Sequence, residues 1–402
     1  MAPLTRLLCL VFVFTTPWEG VIRIPGIGTI ATAVGIAAAA LWATTVSVSG
    51  RVRRPGPFVV AVAAFVAWNG ASVLWSADPG RSLAHVYTWA QSFVLVLILW
   101  DLFRSRADVL AALQAYVLGA YVAVGGALVN LRSGDPFYTH YQRFSPGDVN
   151  PDGFGFVVAL GIPVACYLAG ARVGRGRALR WINLGYVPAA FLGIALSGTR
   201  TAAVGAVVGL AFGLAALTRL RLSARVVALV VLATAVYLLL PVVQPLRSFE
   251  RLGTTGSELT RGDLNGRLEQ WRQGLVAFAE HPVAGVGTNM YRSVNTLGKV
   301  GHNSFLSVLV EVGLVGGILF GGILAIAVAH ALARERWDRG FWLTVLGVWA
   351  IGASTLTWEY RKTTWVFLTL LVVDAVAAAR QGSAALEEVP EEDEEEALPA
   401  IA

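Results

Sequence analysis

The strongest constraint in this sequence is a succession of apolar runs, each near twenty residues long and almost free of charge; VVALVVLATAVYLLLPVV at 226–243 is one. About 20 such residues cross the hydrocarbon of a bilayer as a helix. Inside hydrocarbon the backbone must satisfy its own hydrogen bonds, so the runs predict helices and an all-α, polytopic membrane protein. Twelve spans are expected, near 4–16, 27–48, 57–75, 83–103, 107–129, 153–170, 181–197, 201–217, 225–243, 302–333, 341–357 and 363–380. A composition that is 56% hydrophobic and 14% charged agrees. The apolar run from Leu7 to Phe14 lacks a small-x-small cleavage site before Trp18 and Glu19, so it reads as a retained first helix and not as a leader.

Charge placement predicts orientation. With the first residue inside, seventeen basic residues fall in inside segments, among them Arg51, Arg53, Arg54, Arg172, Arg175, Arg177 and Arg180. Seven lie in short outside links and seven in one long outside loop. Short loops decide under the positive-inside rule, so both termini are expected in the cytoplasm. The basic residues thus belong to helix ends and do not indicate nucleic acid. Glu387, Glu388, Glu391, Glu392, Asp393, Glu394, Glu395 and Glu396 make 381–402 an acidic segment, expected to be a solvated, disordered cytoplasmic tail after a membrane domain over 1–380. Cys9 and Cys166 lie within apolar runs and suggest neither a disulfide nor a metal site.

Two outside loops are long, 130–152 and 244–301. A compact bundle needs no link of the second length, and long loops are usually functional. Within it, RLEQWRQGLVAF places Leu268, Trp271, Leu275 and Phe278 on one face of a short amphipathic helix, expected to lie on the outer membrane surface. HPVAGVGTNMY then supplies the residues of a turn.

Three polar residues mark this outer face: Arg200 in the tight SGTR link, Arg267 at the start of the amphipathic helix, and His302 at the head of the tenth span. Each has an ordinary explanation alone, as a snorkelling arginine, an exposed helix charge and, with Asn303, a helix cap. Together they form a chemical set. Two guanidinium forks and a helix N-terminus favour a diphosphate. The same positive surroundings depress a histidine's pKa and leave it neutral, able to accept a proton. No cluster of carboxylates on this face suggests a metal, and no cofactor is expected. Glu311, about 13 Å along the same helix from His302 and on its opposite side, reads as an intramembrane carboxyl bonded to a neighbouring helix. Gly313, Gly317 and Gly321, spaced by four, are expected to let another helix approach closely.

HNSFLSVLVEVGLVGG at 302–317 resembles the His-Asn, Glu-x-Gly, Gly signature of the O-antigen ligase and polymerase superfamily. RLEQWRQGLVAFAEHPVAGVG at 267–287 resembles its Arg-x3-Trp and Pro-x2-Gly-x-Gly segment, and SGTRTAAVGAVVGL at 197–210 its Ser-x-Thr/Ser-Arg helix start. The resemblance covers roughly 145–320, with one departure, Asp152 in VNPDGFG where relatives often carry asparagine. It implies a GT-C-type, metal-independent, inverting glycosyltransferase on the outer side of the cytoplasmic membrane. The donor would be a polyprenyl-diphosphate-linked glycan, the acceptor a glycan, lipid or protein, and membrane lipid a further partner. Residue by residue, it implies that Arg200 and Arg267 bind the diphosphate and that His302 is the catalytic base; Asn303 and Trp271 are expected to join in substrate binding. Ligation of a finished glycan and polymerisation of repeat units share this chemistry, and ligation is the first reading. A secondary transporter of a small anion is the reading from another class. It would place functional charges near the midplane between related halves, which the sequence does not show.

Overall fold

The computed structural model describes residues 2–170, 176–261 and 266–387, and it is built almost wholly of helices. In chain order these are α1 (Ala2–Thr15), α2 (Ile30–Ser49), α3 (Pro57–Ala71), α4 (Pro79–Leu102), α5 (Arg106–Ser133), α6 (Pro151–Gly170), α7 (Arg177–Ser197), α8 (Arg200–Leu217) and α9 (Leu222–Val243). Then follow α10 (Arg247–Gly253), α11 (Thr255–Arg261), α12 (Arg267–Glu280), α13 (Ser304–Leu332), α14 (Arg336–Ala353) and α15 (Lys362–Glu387). Among the described residues ten helices are long and apolar enough to cross a membrane. The other two of the predicted twelve runs are also helical: α1 is short, and α14 carries Arg336, Asp338 and Arg339 in its first turn. The chain is therefore an all-α, multi-pass membrane protein, as its apolar runs predict. Helix α15 continues past 380 to Glu387, and the rest of the acidic segment, from 388 on, lies outside the described residues.

Helix α6 is the axis of the bundle. All but two of its residues are buried, against α5, α7, α8 and α14. Lipid tails are as apolar as leucine, so packing between membrane helices relies on small residues that admit large neighbours. Gly161 lies under the Tyr186 hydroxyl, where a Cβ would approach to 2.3 Å, and Gly352 receives the Phe156 ring in the same way, at 2.0 Å. Polar groups inside the bundle pair with one another. Gln114 and Asn183 exchange amide hydrogen bonds of 2.9 Å in both directions between α5 and α7.

One end of the bundle, the loop end, gathers the described residues of the 244–303 segment, the 130–150 loop and the links before α8 and α15. The opposite end is closed by a buried ionic network. Arg106 forks onto Asp338 at 2.6 and 2.9 Å, Tyr167 donates to Asp338 at 2.7 Å, and Arg334 bridges Asp338 at 2.7 Å and Asp374 at 3.1 Å. Two arginines meet two aspartates, so the burial of each charge is compensated from within.

Candidate functional site at the loop end

The long segment is more structured than the amphipathic pattern suggests. It holds α10 and α11 as well as α12, and its 281–291 stretch enters the bundle and breaks α13. Val286 and Gly287 donate to the carbonyls of Val310 and Glu311 at 3.0 and 2.8 Å, while Leu314 and Val315 donate to Pro282 and Val283 at 2.8 and 3.2 Å. The break falls at Gly313, whose φ of 67° and ψ of −166° are accessible essentially to glycine alone. This corrects the reading of Gly313, Gly317 and Gly321 as a helix-packing stripe. Gly313 admits backbone, Gly317 meets Leu309 of its own helix, and nothing lies near Gly321. It also corrects the partner of Glu311, which is this loop and not a helix: the carboxylate accepts from the amides of Asn289 at 2.7 Å and Tyr291 at 3.3 Å.

Helix α12 docks on the segment so anchored. Its buried face is Gln270, Gly274 and Ala277, with Trp271 and Phe278 packed on Tyr291, Leu306 and Val310. Leu268 and Leu275 are exposed, so the four residues expected on one membrane-facing stripe divide between protein and outside. Trp271 donates its indole N–H to the Gly301 carbonyl at 2.8 Å, tying α12 to the residue before His302.

Arg200, Arg267 and Trp271, each singled out from the sequence, line one cavity of about 260 Å³ at the loop end. Asp152, Thr199, Arg251 and Thr355 also line it. Arg200 opens α8 after Gly198, which takes the left-handed backbone needed for the tight SGTR turn. Its guanidinium donates to the Arg251 carbonyl at 3.2 Å and to Thr254 at 2.5 Å, and Arg251 donates to the Gly198 carbonyl. Arg143 donates to Asp152 at 2.6 Å and to the Ser197 carbonyl at 2.6 Å. Asp152 is thus already paired with Arg143, and Arg200, Arg251 and Arg267 are gathered on the wall of one cavity. Burial and the neighbouring arginines lower Arg251 to about 10, and burial lowers Arg267 as well. Arg251 remains a cation at neutral pH. A partly buried set of like charges is costly unless an anion completes it.

His302 stands beside this cavity in a left-handed conformation, φ 47°, that few non-glycine residues adopt. Its amide donates to Thr357 at 3.1 Å, and Ser304 accepts from the Trp358 amide at 2.8 Å, so the α14–α15 link is the second wall of the site. Asn303 caps α13, its side-chain oxygen accepting from Phe305 and Leu306, each at 3.1 Å. Burial, then the charge of Arg267, lowers His302 to about 4. The ring is therefore neutral at physiological pH and able to accept a proton. Arg143, Arg251 and Thr357 were not foreseen from sequence. Among the described residues, no three His, Cys, Asp or Glu side chains are grouped to hold a metal ion.

Fold and site together define a multi-pass membrane protein with a cation-rich cavity, and a neutral histidine beside it, at one end of the bundle. Residues 186–321 match the family described as O-antigen ligase, and that span contains Arg200, Arg251, Arg267, Trp271, His302 and Asn303. The chain is 28% identical over 298 residues to the exopolysaccharide production protein ExoQ of Rhizobium meliloti (strain 1021). That alignment covers 67% of this chain and 65% of ExoQ, so the chain spans just under two thirds of that relative. Together the two matches support a place for the chain in the O-antigen ligase/polymerase superfamily.

Proposed function

We propose that the protein transfers a glycan from a polyprenyl diphosphate carrier to an acceptor hydroxyl, on the outer side of the cytoplasmic membrane, with both termini inside. The observation that carries this reading is the cavity that gathers Arg200, Arg251 and Arg267 on one wall, with Asp152, among its described lining residues, already paired with Arg143. Guanidinium forks suit diphosphate oxygens, and a cation-rich wall stabilises the charge that develops as the diphosphate departs.

His302 takes the proton of the acceptor hydroxyl. The oxygen so freed attacks the anomeric carbon from the face opposite the diphosphate. The new glycosidic bond forms as the anomeric C–O bond breaks, with inversion, and the diphosphate keeps the electron pair and stays with the arginines. Trp271 acts as a strut that holds Gly301, and with it His302, against α12. Asn303 fixes the start of α13 and so the direction in which His302 leaves the helix.

Ligation to a lipid, protein or wall acceptor is the first form of this reaction. The printed name of the matched relative, an exopolysaccharide production protein, supports a second form in which the acceptor is another lipid-linked glycan. Deleting the gene and sizing the carrier-linked glycans separates them. Accumulated long chains mean lost ligation, single repeat units mean lost polymerisation, and an unchanged carrier pool contradicts both.

A further inference from the structure

A second depression, of about 410 Å³, opens at the loop end and is bounded by Arg81, Asn289, Arg292 and Gly298. Among the described residues the Arg292 guanidinium makes no hydrogen bond or ion pair, and the Asn289 side-chain amide makes none either. Arg81 reaches only Asp78, at 3.7 Å. Asn289 is held in a left-handed conformation, φ 62°, by the bond from its amide to Glu311. Strained backbone of this kind is kept where the surrounding structure demands it, and it clusters at ligand sites.

The depression shares no lining residue with the first cavity, and the chain that bounds it leads to His302. Arg292 lies in the turn Tyr291–Ser293, and the ring of Tyr291 packs so closely on Gly301 that a Cβ there would approach it to 2.8 Å. The charge of Arg292 is felt at His302 and at His85 on α4, whereas Arg267 responds to Arg143, Arg200 and Asp152. The turn that carries Arg292 is thus packed on the residue before His302. The first cavity has been given to the departing diphosphate, and the nucleophile must reach the anomeric carbon from the other face.

We propose that the depression bounded by Arg81, Asn289 and Arg292 is the acceptor subsite, and that it takes a glycan carrying carboxylates. The inference rests on the transfer reaction proposed above. No aliphatic side chain bounds the depression, so a sugar suits it and a lipid tail does not. Asp78 lies against Arg81, and the Glu311 carboxylate is held by the Asn289 and Tyr291 amides within reach of the charge of Arg292; the Arg292 guanidinium makes no ion pair among the described residues and can fork onto a carboxylate, and the Asn289 amide can pair with sugar hydroxyls.

The test uses the full chain in lipid nanodiscs with oligosaccharides released from the cell's own surface polysaccharide, native and carboxyl-reduced. Native fragments should bind the wild type at least about tenfold more tightly than reduced ones, the scale of a hydrogen bond to a charged group. Arg292→Ala and Arg81→Ala should each erase that preference, Arg292→Lys should keep part of it, and binding of the polyprenyl-diphosphate-linked donor should be unchanged in all three. Equal binding of native and reduced fragments, or loss of donor binding in Arg292→Ala, overturns the subsite. If the wild type binds the fragments with this preference but binds no polyprenyl diphosphate, the transfer reading fails and the acidic-glycan site remains.

Discussion

His302 carries the chemistry only if it is neutral when the acceptor arrives. Its ordinary value near 6.5 is lowered to about 4 by burial first and by Arg267 second. The base is therefore competent above about pH 4, and it is lost as pH falls through that value. The acid limb of kcat/KM for glycan transfer should lie near 4, and Lys299→Gln, which removes another of the depressing charges, should move it upward. The bound diphosphate opposes the depression, so the limb of kcat should lie above that of kcat/KM. A limb near 6.5 in kcat/KM would mean that His302 is solvated in the free protein. At this scale the sequence was informative where a rigid helix end presents the side chain: Arg200, Arg267 and Trp271 stand at or near helix starts and line one cavity. Arg251 and Arg143 were illegible, because each joins the others only through docking onto Gly198 or Ser197, some fifty residues away.

At the scale of the element, the broken α13 organises the site. The carbonyls of Val310 and Glu311 and the amides of Leu314 and Val315, freed at the break, are taken up by 282–287. The same loop carries Asn289 and Arg292 to one recess and steadies α12, with Arg267 and Trp271, beside the other. A Cβ at residue 313 would lie 2.2 Å from the Val283 carbonyl. Gly313→Ala should therefore cost roughly 2–3 kcal/mol or more, seen as a lowered unfolding midpoint in detergent, with donor binding weakened although the residue touches no ligand. Gly321→Ala, which meets open space, should leave the midpoint unchanged. An unchanged midpoint in the Gly313 variant would remove the break from the account. None of this was readable from hydropathy, because the apolar pattern runs through 304–332 without interruption. The one legible sign was Glu311, a carboxyl that had to have partners.

At the scale of the whole molecule, the two ends of the bundle differ in how their charges are settled. Arg106 and Arg334 meet Asp338 and Asp374, whereas Arg200, Arg251 and Arg267 are gathered around a cavity. A closed network suits a structural clamp, and an open one suits a ligand. The helical plan was legible because spanning helices must be long and apolar, and the basic residues of the short links favour an outward loop end. A cysteine replacing Ser257 on α11 should then react with an impermeant maleimide in intact cells, and one replacing Ser49 at the end of α2 only after permeabilisation. The reverse pattern would turn the site inward and remove access to an outer acceptor. The most direct test of the central claim is single-turnover transfer from a polyprenyl-diphosphate-linked glycan by the purified chain in nanodiscs, comparing wild type with His302→Ala. The account predicts that the variant binds the donor normally and transfers at least about a hundredfold more slowly, the usual range for loss of a general base. Transfer at the wild-type rate would contradict it.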